Sequence, residues 1–441
     1  MARGAFDMQA VYRSMVMDDA ASHGCTLVDV DGNSFLDFFS NFALGALGYN
    51  HPALLAVARS EAFVHAAANP TSTPFVTTAS WLEFIEAIGS RWAPPGMAKV
   101  YFVDAGGEGV EAALKVAFIH HGERKRARAG EPTNPLELSA DQLRGVMENA
   151  GTDAVVVSFA GAFHGRGLAP MSATHSKPIH KADLPAFPWP MVEFPANRWP
   201  LEPYAEENEK AETRALAELE RTLSKHPVAA VLVEPMQSEG GDRHASPAFF
   251  RGVQALAKQA GAAFVLDEVQ TGMGISGTLW LHEQLALPTA PDLMCFGKKM
   301  QMGGFFATAE QDVRQFGRMY QTRNGDRARG LIAQAILRTI DAEGLLANVR
   351  TIGAYFLACL TDLAARHPTL MTEPRGRGFL LAFDLPTVAS RDEFLRRCLH
   401  RGVFATYTGT RSVRLRPHLI TTTTEVDAAI PVFDAVLREM G

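Results

Sequence analysis

Two short apolar runs do most to limit what this chain folds into, because each stops on a reactive group. Residues 264–266 end at Asp267 and Glu268, and residues 292–296 end at Gly297, Lys298 and Lys299. Runs this short and apolar read as strands buried on both faces. Similar runs at 100–103, 154–159 and 228–233 alternate with helical patterns at 110–119, 206–224 and 247–259. That alternation predicts a parallel sheet covered by helices on both sides. In an open sheet of this kind ligands bind beyond the carboxyl ends of the strands, which brings Asp267 and Lys298 to one crevice. A fixed anion and a reactive amine in one crevice point to a cofactor.

The flanking patterns differ. Residues 28–31 and 35–39, joined by Asp-Gly-Asn at 31–33, predict a hairpin. Helices are expected at 54–67 and 81–92 around the Pro/Thr/Ser-rich loop 69–80. Residues 122–150 read as an exposed, non-catalytic insertion and 185–203 as a proline-rich loop. Further helices are expected at 330–344 and 353–367, followed by a βαβα tail at 379–383, 391–401, 413–415 and 424–440. The chain thus divides into an N-terminal segment (1–50) that joins the small domain, a large domain (51–345) and a small C-terminal domain (346–441).

Composition narrows the functions. A formal net charge of −6, with Lys and Arg interspersed among acids, argues against a nucleic-acid partner. The four cysteines have neither metal-site spacing nor the density of a disulfide scaffold, which fits a reducing, cytoplasmic setting. No apolar stretch is long enough to span a bilayer and the N-terminus has no continuous apolar leader, so a soluble protein without a membrane partner is expected. The histidines are scattered, with no HExxH, and no metal site is expected.

Several other residues fall at strand ends. Gly106 and Gly107 follow a strand and open a helix, where backbone N–H groups can hold a phosphate; a turn needing glycine only for its backbone geometry is the plain alternative. Phe163 and His164 lie at the crevice rim, where an aromatic ring can stack on a planar cofactor or simply pack. Arg166 suits a carboxylate or solvent, while Glu234 and Glu239 suit the site, a helix cap or the surface. Gly272, Gly274 and Gly277 satisfy GxGxxG formally. They stand too far from the strand and precede no clear phosphate-capped helix, so nicotinamide binding is disfavoured. Lys298 and Lys299 share an apolar neighbourhood that lowers an amine's proton affinity, unless both face solvent.

Taken together, FVDAGGEGVEAALK at 102–115, FHGR at 163–166, VEPMQSEGGD at 233–242, LDEVQTGMGISG at 266–277 and PDLMCFGKK at 291–299 resemble the class III pyridoxal-phosphate aminotransferases over nearly the whole chain. Within that family they are most similar to the lysine 6-transaminase branch. The resemblance implies an α/β, fold-type I transferase with a large domain on a mostly parallel central sheet and a small α+β domain. It implies pyridoxal 5′-phosphate as cofactor, with Lys298 on the Schiff-base position in preference to Lys299 and Asp267 at the pyridine nitrogen. Phe163 and Val269 would flank the ring and Gln270 would contact its phenolic oxygen. His164 and Glu234 would belong to the same shell, and Gly106 and Gly107 would hold the phosphate. Thr322 would reach the phosphate of a second subunit, which implies a homodimer with shared sites. On the substrate side, Arg414 would bind the 2-oxoglutarate carboxylate, Glu239 would cover it when an ω-amine donor is bound, and Arg166 would hold the donor's distal carboxylate.

The implied reaction is ping-pong transfer of an amino group between the ε-amine of L-lysine, or a similar ω-amino acid, and 2-oxoglutarate or glutamate. A specialised biosynthetic enzyme aminating an unusual oxo acid is the alternative, ahead of an aminomutase, racemase or decarboxylase on the same scaffold. Ala105 stands where the family often has a phosphate-binding serine, and His418 where proline is usual. Residues 69–78 and 323–326 also depart from the lysine-specific pattern. Those departures bear on the substrate rather than on the cofactor.

Overall fold

The structure is a computed structural model that describes residues 15–69 and 75–441. Residues 70–74, the heart of the unusual 69–78 segment, lie outside the described residues. Near the N-terminus β1 (Thr26–Val28) and β2 (Ser34–Asp37) pair antiparallel, with Val28 opposite Ser34, as the Asp-Gly-Asn turn predicts.

Seven strands build the central sheet: β3 (Lys99–Val103), β4 (Val155–Phe159), β5 (Met191–Val192), β6 (Val228–Val233), β7 (Ala263–Asp267), β8 (Leu293–Phe296) and β9 (Gly303–Ala307). Their order is β3-β9-β8-β7-β6-β4-β5. Strands β8, β7, β6, β4 and β5 run parallel, and β9 is antiparallel to both β3 and β8. Every residue of β6, β7, β8 and β9 is buried. Alternate side chains point to opposite faces. Ala230, Leu232, Val265 and Cys295 meet Val110, Ala113, Leu114 and Ala117 of the helix Gly106–Arg128 on one face. Val231, Val233, Leu266 and Met294 belong with Phe249, Phe250 and Val253 of the helix Pro247–Gln259 on the other. Each such aliphatic side chain contributes roughly 2 kcal/mol of burial, so the sheet is a rigid platform for whatever stands at its strand ends.

In the C-terminal part, β10 (Thr372–Arg377), β11 (Leu380–Asp384), β12 (Val403–Phe404), β13 (Thr406–Thr408) and β14 (Ser412–Leu415) follow two long helices. Four of these strands form an antiparallel sheet, β10-β11-β14-β13, while β12 pairs parallel with β2 and ties the N-terminal hairpin to this end of the chain.

Four expectations need correction. The helix expected over 54–67 is two helices, Pro52–Ala58 and Glu61–Ala68, broken where Ser60 caps the second. The helix expected over 110–119 runs from Gly106 to Arg128, so the exposed insertion begins later than 122; the insertion carries a second helix, Ala140–Met147, opened by a Ser139/Gln142 capping box. The helix expected to start at 353 starts at Leu345, after Gly344 in a left-handed conformation (φ 62°). Gly353 is interior, where a β-carbon would lie 2.4 Å from the Gly378 carbonyl oxygen. Its glycine reflects close packing, not a helix start. Finally, β5, which lies inside the expected loop 185–203, and β9, β10, β12 and β13 were not anticipated. Among the described residues no single helix is long and apolar enough to cross a membrane.

Candidate active site

Asp267 closes β7 at the carboxyl edge of the sheet and is 5% exposed. Its Oδ2 lies 2.8 Å from His164 Nδ1, and its Oδ1 accepts the Val269 N–H at 3.0 Å. His164 is fixed in turn by its own N–H, which donates to Thr174 Oγ1 at 2.9 Å. The carboxylate is therefore aimed by donors on both oxygens while its group stays in the crevice. Glu268, next in sequence, points the other way. Its buried carboxylate accepts from the N–H groups of Leu281 (2.7 Å) and His282 (2.8 Å), closing the glycine-containing loop 272–277 around Trp280. That accounts for the GxGxxG pattern without a nucleotide.

Lys298 follows β8 and opens the short turn Lys298–Met300 with a left-handed φ of 47°, a strained conformation for a residue with a β-carbon. Burial, reinforced by the Arg414 charge and opposed by Glu239 and Asp267, lowers its amine from the usual lysine range to about 8. Burial does not by itself choose between the two lysines, because Lys299 is the more enclosed at 1% exposed and is pushed well below its ordinary value by burial and then by Lys298. Their surroundings do separate them. Lys298 sits in the combined field of Asp267, Glu239 and Arg414, whereas Lys299 donates to the Gln270 carbonyl oxygen at 3.4 Å, away from those carboxylates.

An amine attacks an aldehyde only when neutral. Capture of pyridoxal 5′-phosphate by enzyme stripped of it should therefore quicken roughly tenfold per pH unit as pH rises toward the Lys298 value. It should level off above about 8, followed by stopped-flow absorbance. A rate still climbing past pH 9.5 would mean that the attacking amine is an ordinary lysine.

The far end of the crevice suits a phosphate. The helix Gly106–Arg128 starts directly beyond β3, and its N-cap, Ala105, provides no side-chain capping bond. Its first N–H groups are left to an anion, with the helix dipole in support. A β-carbon at Gly106 would lie 2.6 Å from Val269 Cγ1, so glycine is needed for these two segments to meet. Phe163 stands across from them, partly buried and edge-on to His180 at 5.1 Å. Glu234 lies behind it: its carboxylate accepts the N–H groups of Phe163 (2.9 Å) and Ser238 (3.2 Å), and burial followed by the Asp267 charge raises it well above the usual carboxylate range. Backbone donors at a helix start, a buried acid and a buried amine are the kinds of group that would hold the phosphate, the ring nitrogen and the aldehyde of pyridoxal 5′-phosphate.

At the mouth, Arg414 in β14 is 1% exposed and ion-paired with Glu239 at 2.5 Å. Burial alone would raise Glu239, but the Arg414 charge and hydrogen bond outweigh it and hold the carboxyl at about 2. The Arg414 Nε is buried without a partner among the described residues, so one edge of the guanidinium remains free for an acceptor. Its face lies 5.2 Å from the Phe42 ring. Phe42 is presented by Ser40–Ala43, four consecutive residues with positive φ, a turn strapped by Asp37 and His418. His418 bridges Asp37 Oδ2 (3.2 Å) and the Gly45 carbonyl (3.1 Å), a role open to histidine and closed to the usual proline.

Lys177 is a further member that the sequence reading missed. Its Nζ lies 3.5 Å from Glu239 Oε2 and 5.0 Å from the Tyr407 ring. Arg166 is exposed, with its guanidinium 5.8 Å from the Phe163 ring. Thr322 lies on an exposed loop, next to Arg323, which is 3.7 Å from Asp104.

Comparison with known proteins bears on this geometry. The family model described as aminotransferase class-III matches residues 8–437. The chain is 37% identical over 425 residues to 4-aminobutyrate aminotransferase of Dictyostelium discoideum, covering 96% of this chain and 85% of that protein. It is 39% identical over 414 residues to 4-aminobutyrate aminotransferase of Schizosaccharomyces pombe, covering 92% and 85%. Among solved structures, lysine aminotransferase from M. tuberculosis superposes with a TM-score of 0.88 at 34% identity, covering 99% of this chain and 97% of that one.

Proposed function

The chain belongs to the class III aminotransferases, a family that works with pyridoxal 5′-phosphate, and from that premise we propose that it moves the terminal amine of an ω-amino acid to 2-oxoglutarate. The observation that carries this reading is the Arg414–Glu239 pair with the guanidinium Nε left without a partner among the described residues. Closed, the pair offers an ω-amine donor a neutralised wall. Opened, it offers a carboxylate a two-pronged arginine. A site that alternates between the two kinds of substrate needs both states.

The cofactor, when bound, supplies an electron sink that acidifies the carbon bearing the amine. Asp267, aimed by His164 and the Val269 N–H, would hold a proton on the ring nitrogen. Phe163 and Val269 would fix the ring plane, and Gly106 and Gly107 would hold the phosphate through backbone N–H groups. Lys298 Nζ, with its lowered proton affinity, would take the proton from the donor carbon and return it on the other side of the transfer. Glu239, held at about 2, stays ionised throughout the working range, so the pair opens by exchange with an incoming carboxylate and not by titration. Lys177 stands ready as a second cation for Glu239 once Arg414 is released.

Arg166 and Lys177 favour a donor with a carboxylate at the end remote from its reacting amine. L-Lysine would set its α-ammonium among these cations, whereas 4-aminobutyrate carries no such charge. The amino-acid relatives point to 4-aminobutyrate as well. The ε-amine of L-lysine is the second reading, favoured by the match to the M. tuberculosis enzyme. We place the reaction in the cytoplasm, which suits four free thiols, and assign Thr322 to the phosphate of a second copy in a homodimer with shared sites.

Replacing Arg414 by glutamine should slow the 2-oxoglutarate half-reaction on the order of 100-fold, the scale of losing a charged, buried hydrogen-bonding partner. The donor half-reaction should change far less. Single-turnover absorbance with each substrate separately checks this, and equal losses in both directions would refute the alternating pair.

A further inference from the structure

We infer that Arg416, clamped by Asp242, sets the orientation of the Gln270 side chain and so makes its amide nitrogen a hydrogen-bond donor to the phenolic oxygen of the cofactor. The inference rests on the reading of the crevice above and adds to it Arg416 and Asp242, which stand behind Gln270.

Arg416 follows β14 and is fully enclosed, as is Asp242. The two make a bidentate pair, Nη1 to Oδ2 at 2.8 Å and Nη2 to Oδ1 at 2.6 Å. The remaining Nε donates to Gln270 Oε1 at 3.0 Å. Nη1 also reaches the backbone carbonyl of Leu415 at 3.0 Å, so the guanidinium has no freedom to turn. Oxygen and nitrogen of a glutamine amide have nearly the same shape, and chemistry must decide which is which. Here it does. Arginine carries donors and no acceptor, so the amide atom facing it must be the oxygen. The Gln270 nitrogen therefore points the other way, and no described residue accepts from it.

Gln270 lies on the loop after β7, three positions beyond Asp267 and one beyond Val269, so on the reading above its free N–H group would face the cofactor ring. A phenolic oxygen that is anionic during turnover gains from a donor and is opposed by an amide oxygen. Without the clamp both orientations are open to the amide. With it, only the favourable one is.

The clamp is itself held in place from the C-terminal sheet. Asp242 has a left-handed φ of 49°. The carbonyls of Gly241 and Asp242 accept from Arg375 at 2.7 and 3.0 Å, and Arg375 is ion-paired with Asp384 of β11 at 2.8 Å. This gives the GGD end of the VEPMQSEGGD motif a function: it turns a carboxylate onto Arg416. The signal reaches Gln270 through one side chain.

Arg416 is a positioning residue, and its loss also leaves Asp242 buried without a partner, so a drop in activity or stability would not identify the role. The pH titration of cofactor absorbance does. Loss of a donor at the phenolic oxygen makes the neighbouring proton harder to remove and moves the titration midpoint up. In the holoenzyme, Gln270→Leu should raise the midpoint by about one pH unit, the scale of a hydrogen bond to a charged oxygen. Arg416→Lys keeps a cation for Asp242 but cannot serve both partners in a fixed plane, and should move the midpoint in the same sense. The double variant should match Gln270→Leu alone, because both changes remove one interaction. If Gln270→Leu shifts the midpoint and Arg416→Lys does not, the clamp does not orient the amide and the inference fails. If Gln270→Leu itself leaves the midpoint in place, Gln270 does not meet the phenolic oxygen, and both that contact and the inference fall. Should Arg416→Lys not yield folded holoenzyme, Asp242→Asn puts the same question with the same two outcomes.

Discussion

Replacing Lys298 by alanine should abolish transamination, with a loss on the order of 10⁴-fold or more, because the change removes the amine proposed as both covalent anchor and proton carrier. The cofactor would still be able to bind through Gly106, Gly107, Phe163 and Asp267, so the protein should remain folded and retain the cofactor reversibly. What it should lose is the adduct that borohydride fixes to the chain. Lys299→Ala is the necessary companion. Lys299 is the more deeply buried of the two amines, and a choice based on desolvation alone would favour it. Its neighbours say otherwise: its amine donates to the Gln270 carbonyl, while Lys298 shares the crevice with Asp267, Glu239 and Arg414. Lys299→Ala should therefore affect stability while leaving the borohydride-fixed adduct on the chain. Loss of the adduct in Lys299→Ala with retention in Lys298→Ala would reverse the assignment.

Asp267→Asn should be the next most damaging change, slowing both half-reactions on the order of 10³-fold, as expected when a preorganised charge opposite a developing one is removed. Asparagine keeps the acceptor for the Val269 N–H and nearly the same volume, so the loop after β7 should hold its shape. The loss is of charge. His164 would keep its place through Thr174 but lose the carboxylate that it faces at 2.8 Å. Rate constants for both half-reactions, normalised to bound cofactor, measure this effect; a loss of less than tenfold would mean that the ring nitrogen is served by some other group.

Much of this site was legible in the amino-acid sequence, and the reason is topological. Strands that are apolar almost throughout must be buried on both faces, so the residues at their carboxyl ends fall on the crevice rim: Asp267 ends β7, Lys298 follows β8, and Gly106 and Phe163 lie on the turns after β3 and β4. The sheet order did not follow in the same way. Strand β9 begins with two glycines directly after a lysine-rich turn, a pattern that local periodicity reads as loop, and only its pairing with β3 and β8 makes it a strand. Lys177 escaped notice because nothing in His-Ser-Lys marks it; what matters is the folded approach to Glu239, far along the chain. The same holds for Arg416 with Asp242 and for the left-handed turn that brings Phe42 to Arg414. His418 was visible as a departure from the family pattern, but its reason, a strap between Asp37 and Gly45, exists only in three dimensions.

The most direct measurement of the proposed activity is a two-step absorbance experiment on the holoenzyme without any coupled assay. An ω-amino acid is added first, 4-aminobutyrate in one series and L-lysine in another, and 2-oxoglutarate is added after the excess donor has been removed. A transaminase of the kind proposed should lose the aldehyde-form absorbance with 4-aminobutyrate, faster than with L-lysine, and regain it in full on 2-oxoglutarate with release of glutamate. Retention of the aldehyde form with both donors, or failure of 2-oxoglutarate to restore it, would contradict the assignment of Arg414 and Glu239 to an alternating ω-amine and oxo-acid site.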